Sequence, residues 1–89
     1  MKIGDFVTSM MKPGIVTDIL TSESGDQLYI KLLSPDLIAR GGEEELVDVG
    51  YHVLPCDKEV VIKAVDNYIK MLNQRVEKLE QFKKSIMEN

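Results

Sequence analysis

The sequence predicts an α+β chain, with five short strands in residues 1–56 followed by one long C-terminal helix in residues 57–89. Three observations support this. Up to Cys56, strand-type residues alternate in short runs separated by glycine, proline and polar clusters. From Asp57 to Glu88 there is neither glycine nor proline, and apolar residues recur at steps of three and four. The length of 89 residues is that of one domain.

Lys2-Ile3-Gly4-Asp5 reads as a turn, and Phe6-Val7-Thr8-Ser9-Met10 alternates as the first strand. Lys12-Pro13-Gly14 is a turn signal. The second strand then runs over residues 14–20, with Ile15, Thr17 and Ile19 on one face and Val16, Asp18 and Leu20 on the other. Residues 21–26 form a polar hairpin turn. The strongest strand is 27–33, with Leu28, Ile30 and Leu32 inward. Ser34-Pro35-Asp36 has the cap, first-turn proline and acid of a helix start. It predicts a short helical insertion near 35–40, stopped by Gly41-Gly42. Leu46-Val47-Asp48-Val49 and Val53-Leu54-Pro55-Cys56 are the last two strands, joined by a tight turn at Gly50-Tyr51-His52. The expected core is Val7, Ile15, Ile19, Leu28, Ile30, Leu32, Val47 and Leu54.

Asp57 is placed to cap the final helix. Thirty-odd residues span about 46 Å, about twice the width of a body built from the first 56 residues. The apolar stripe therefore outruns the body. Val65, Leu72, Leu79 and Ile86 repeat every seven residues, with Tyr68, Ile69, Val76 and Phe82 beside them. That spacing favours a coiled-coil seam between chains and predicts a homodimer.

The chain carries a net charge of −4, unevenly distributed. Residues 1–56 hold 4 basic and 9 acidic side chains, whereas residues 57–89 hold 7 and 6. Phosphate binding needs clustered lysine and arginine, so the first part argues against a nucleic-acid partner. A single cysteine excludes an internal disulfide, and with one histidine it is too few for a structural zinc site. Met1–Met10 holds no apolar run of signal length and no window spans a membrane. With the lone cysteine, this predicts a cytoplasmic location.

Lys2-Ile3-Gly4-Asp5-Phe6-Val7, Lys12-Pro13-Gly14-Ile15-Val16 and Gly25-Asp26-Gln27-Leu28-Tyr29-Ile30 carry a resemblance, as does the closing run from Leu46 to Pro55. Residues 2–55 resemble the SH3-like barrels of the KOW, Tudor and CarD type. The whole chain is similar to small phage early proteins of the host-takeover type that have this form. The resemblance implies a five-stranded SH3-like β-barrel in 1–56, a binding role and not an enzyme, and action in the host cytoplasm. Members that bind nucleic acid have basic loops, and readers of methylated lysine have aromatic cages. Here the loops are acidic, and Phe6, Tyr29 and Tyr51 are scattered. Barrels of this class also bind RNA polymerase and other proteins, which suits an acidic surface.

Candidate chemistry is sparse. Cys56 beside a helix N-terminus has the position of an activated thiol, but a catalytic thiol needs a base and the one histidine, His52, lies in a turn. Its other reading is a small apolar residue closing a strand. Glu43-Glu44-Glu45 cannot all converge on one ion, and Gly41-Gly42 lacks the Lys-Ser/Thr of a phosphate loop. No catalytic residue, metal or cofactor is expected. The expected function is a non-enzymatic acidic interaction module that modulates or inhibits a host protein, either RNA polymerase or a basic DNA-binding protein met by nucleic-acid mimicry. Glu23, Asp26, Glu43, Glu44, Glu45, Asp48 and Tyr51 are the expected partner-binding residues. The alternatives are nucleic-acid binding through Lys70, Arg75, Lys78, Lys83 and Lys84, and a structural part of a virion.

Overall fold

The structure, a computed structural model, describes residues 1–50 and 52–88. Its elements are β1 (Phe6–Ser9), β2 (Lys12–Thr21), β3 (Leu28–Leu33), α1 (Pro35–Ala39), β4 (Glu45–Asp48), β5 (Val53–Pro55) and α2 (Lys58–Met87). The five strands form one antiparallel sheet in the order β4-β3-β2-β1-β5. The first four strands form a meander, and β5 returns beside β1.

Among the described residues no ladder joins β4 to β5, so the sheet is open and the expected barrel is not closed by hydrogen bonds. Edge strands of a flat five-stranded sheet would lie about 19 Å apart. Here Val47 of β4 and Val53 of β5 pack against the same cluster, Val7, Val16, Ile30 and Leu32. The sheet therefore curls strongly around one small core without closing.

The register of β2 departs from simple alternation. Val16 pairs with Leu32 and Ile19 with Ile30, and the register shifts between Val16 and Asp18. This β-bulge brings Val16 and Ile19 to the same face, although an odd and an even position cannot share a face in a regular strand. Thr17 donates its hydroxyl to the Lys31 carbonyl at 3.2 Å, and Asp18 Oδ1 accepts the Ile19 N–H at 2.8 Å. Side chains thus hold the bulge where ladder bonds lapse. The expected core is corrected accordingly: Val16 is fully buried and replaces Ile15, which is half-buried on the opposite face. Leu28 is 38% exposed and Leu54 63% exposed, so neither belongs to the core. Leu54 pairs with Thr8, which points away from the face that carries Val7.

The first turn also differs from expectation. Ser9 pairs with Lys12, so the hairpin turns on Met10 and Met11, whose φ angles are 50° and 69°. Two successive positive φ values are the signature of a type I′ turn, which matches the twist of the flanking strands. Pro13 and Gly14 instead lie inside β2. Gly14 sits opposite Val7, and a Cβ there would lie 2.7 Å from the Leu33 carbonyl oxygen. It is needed for close approach of strands, not for a turn.

The α1 insertion follows its sequence signals. Ser34 caps it, its hydroxyl accepting the Leu37 N–H at 3.2 Å, and Pro35 takes the first turn. Gly41, at φ 82°, ends it with N–H bonds from Gly41 and Gly42 back to the Ile38 and Leu37 carbonyls.

Candidate interaction surfaces

The 30 residues of α2 are about 45 Å long. The first half lies against β2 and α1, with Val61 buried and Ala64, Tyr68, Met71 and Leu72 half-buried. From Asn73 to Met87 every residue is exposed, a projecting stalk of about 22 Å. The dimensions of 64 × 27 × 18 Å and the radius of gyration of 17.5 Å reflect it. A compact chain of this length would have a radius of about 12 Å.

One carboxylate sets the direction of the stalk. Asp36 Oδ2 accepts from Lys12 Nζ at 3.1 Å and from the Arg40 guanidinium at 2.6 Å, and Oδ1 accepts the Tyr68 hydroxyl at 2.7 Å. These donors come from β2, the end of α1 and α2, so Asp36 ties the three elements together. The Tyr68 hydroxyl, then the Lys12 ammonium, hold the Asp36 carboxyl below the usual aspartate range, against some desolvation. In return the carboxylate, with burial, raises the Tyr68 hydroxyl above its ordinary value.

The expected seam residues divide at this junction. Val65, Tyr68, Ile69 and Leu72 line an apolar recess with Pro35, Ile38 and Ala39 of α1. Val76, Leu79, Phe82 and Ile86 lie on the stalk and are 50–67% exposed. The chain's own α1 therefore takes up part of the proximal seam, and only the distal half is bare. The stalk cations Arg75, Lys78, Lys83 and Lys84 alternate with Glu77 and Glu80.

The expected partner-binding acids fall into two groups. Glu43 and Glu44 lie in the segment after α1 and Glu45 starts β4 opposite Leu32. Asp48 ends β4 opposite Tyr29, towards the β2–β3 hairpin that carries Glu23 and Asp26. Asp48 is partly spent on structure, since its Oδ1 accepts the Gly50 N–H at 2.8 Å. Tyr51 lies outside the described residues. Asp36 engages Lys12 and Arg40, which leaves Lys2 and Lys31 as the cations of the sheet body outside that cluster.

Burial, then the neighbouring Asp57 charge, push the Cys56 thiol up, away from the thiolate a nucleophile needs. Among the described residues no group of three or more His, Cys, Asp or Glu side chains could hold a metal. Among the described residues no helix is long and apolar enough to cross a membrane.

Sequence reasoning missed the Met10–Met11 tip. Both side chains are exposed, at 64% and 92%, and they line a shallow groove with Thr8, His52 and Leu54. Methionine has no preference for the left-handed backbone, so the turn carries strain. The two-residue gap between alternating runs was the available signal, and the stronger Pro13-Gly14 signal obscured it. Protein-family models, curated proteins and solved structures give no match to this chain.

Proposed function

We propose that the chain is a non-enzymatic interaction module with a sheet body that meets a basic partner surface and a helical stalk that makes apolar contacts. The projecting half of α2 carries this reading. Val76, Leu79, Phe82 and Ile86 stand exposed on the half of α2 in which every residue from Asn73 to Met87 is exposed, and such a stripe is stable in water chiefly by being covered. The charge of the body supports the choice of partner. With Lys12 and Arg40 tied to Asp36, the acids of the two loops and β4 dominate the surface, and complementary charge speeds encounter and selects partners. The resemblance to SH3-like phage early proteins supplies the partner's class, a host protein of the transcription or DNA machinery. The reading takes RNA polymerase or a basic DNA-binding protein as the target, with the acids standing where phosphates would.

The test is joint replacement of Glu43, Glu44 and Glu45 by glutamine. Exposed charges act collectively and individually contribute little. The melting temperature should therefore stay within a few degrees, while affinity for purified RNA polymerase or for a purified basic DNA-binding protein falls and loses its salt dependence. Equal binding of either target by parent and triple variant would refute the electrostatic reading. Tight binding of duplex DNA by the parent, weakening steeply with salt, would favour the helix cations instead.

A further inference from the structure

We infer that the stalk is covered by a second copy of this chain running antiparallel, with Val76 facing Leu79 and Ile69 facing Ile86 of the partner subunit. This rests on the reading of α2 as an interaction element and names its occupant.

The helix carries a heptad seam. Ile69, Val76 and Lys83 fall at one core position, and Leu72, Leu79 and Ile86 at the other. Two orientations can close such a seam, and four observations favour the antiparallel one. First, α1 packs beside Val65, Ile69 and Leu72, so the proximal seam is partly occupied by the chain itself. A parallel pair needs both proximal halves side by side, whereas the antiparallel register pairs residues 73–82 of the two stalks with each other and sets only the thin end of one helix, 83–86, against residues 69–72 of the other. Second, a parallel, in-register pair sets Lys83 against the partner's Lys83 inside the seam, which costs like-charge repulsion and desolvation. In the antiparallel register Lys83 faces Leu72 at the rim, where its stem can lie along apolar surface with the ammonium in water.

Third, the charge is unevenly divided between the two halves. Residues 73–87 hold Arg75, Lys78, Lys83 and Lys84 against Glu77 and Glu80, while residues 1–56 are strongly acidic. Antiparallel pairing holds the two acidic bodies apart at opposite ends of the paired stalks. Parallel pairing brings the two acidic bodies together. Its one compensation is that Arg75 would face Glu80 across the pair, and this is an exposed flanking contact of little value. Fourth, the recess between α1 and α2 is lined by Pro35, Ile38 and Ala39 with Ile69 and Leu72, and Ile38 is 57% exposed. In the register that pairs Ile69 with Ile86, the apolar C-terminal end of the partner's helix reaches this recess. The same placement covers the exposed part of Ile38.

The test uses cysteine cross-linking in a Cys56→Ser background, with sedimentation of the uncross-linked parent. Residues 69 and 86 of one helix lie about 25 Å apart, beyond reach of a disulfide. The double variant Ile69→Cys with Ile86→Cys should oxidise to a covalent dimer, while each single variant should not. Leu79→Asp should weaken the parent dimer at least about tenfold, a loss of about 1.4 kcal/mol. It should keep its helical circular dichroism, because Leu79 is exposed in the single chain. A covalent dimer from Ile86→Cys alone would establish the parallel arrangement and overturn the inference. A parent that sediments as monomer at high micromolar concentration would overturn it as well. The partner-binding assay of the glutamine triple variant is independent of oligomeric state, so failure here leaves the interaction-module reading standing.

Discussion

Replacing Gly14 by alanine tests the close approach of β2 to β3. Gly14 lies in β2 opposite Val7, and a Cβ built there meets the Leu33 carbonyl oxygen at 2.7 Å and Leu32 Cδ1 at 3.0 Å. The first neighbour is backbone in the adjacent strand, so relief requires the β2–β3 ladder itself to move. Overpacking of this kind costs about 1–3 kcal/mol, offset by about 0.4–1 kcal/mol from the stiffer unfolded chain. The midpoints of the two ranges leave a net loss of about 1.3 kcal/mol, which lowers the melting temperature by about 5–10 °C in a domain of this size. Gly42→Ala is the control. Its Cβ also meets an atom at 2.7 Å, but that atom is Cδ1 of the half-buried Leu37 side chain, which can rotate away, and the nearest backbone atom, the Leu37 carbonyl oxygen, lies at 3.3 Å. Its effect should stay within about 0.5 kcal/mol. Thermal unfolding followed by circular dichroism reads both. A Gly14→Ala protein that melts with the parent would refute the close approach of β2 to β3 at Gly14.

Two further perturbations address the tip and the junction. Met10→Asn with Met11→Gly supplies the residues that a type I′ turn prefers at the observed φ angles of 50° and 69°, and should raise stability by about 1 kcal/mol or more; an unchanged or lower melting temperature would place the turn elsewhere. Asp36 has a lowered pKa in the folded chain, so its contribution is present above the ordinary aspartate range, about pH 4, and disappears as pH falls through the lowered value. Asp36→Asn should therefore melt below the parent near pH 7, with the gap closing as pH falls below the ordinary aspartate range, and a gap independent of pH would show that Asp36 does not act as the charged acceptor.

Local chemistry made several elements legible in the sequence. Ser34-Pro35 and Gly41-Gly42 bound α1 within a residue of expectation because caps, first-turn prolines and terminal glycines act within one turn of the chain. The boundaries of α2 followed from an uninterrupted run of helix-compatible residues. Val7, Ile30 and Leu32 lie in the core as their alternation required.

The features that the sequence did not disclose depend on contacts between distant residues. The bulge at Thr17 reverses the faces of β2, and it exists because Val16 and Ile19 both find partners on β3, with the Lys31 carbonyl taking the Thr17 hydroxyl. The role of Gly14 follows from the nearness of Leu33, and the turn at Met10–Met11 from the pairing of Ser9 with Lys12. The candidate surface divides in the same way. The heptad spacing and the acidic bias are properties of the sequence alone. How much of the seam stays bare was decided by Asp36, which reaches 32 residues along the chain to Tyr68 and holds the first half of α2 against α1. A periodic pattern identifies a helix face, but only the packing of the rest of the chain determines how much of that face is left for another molecule.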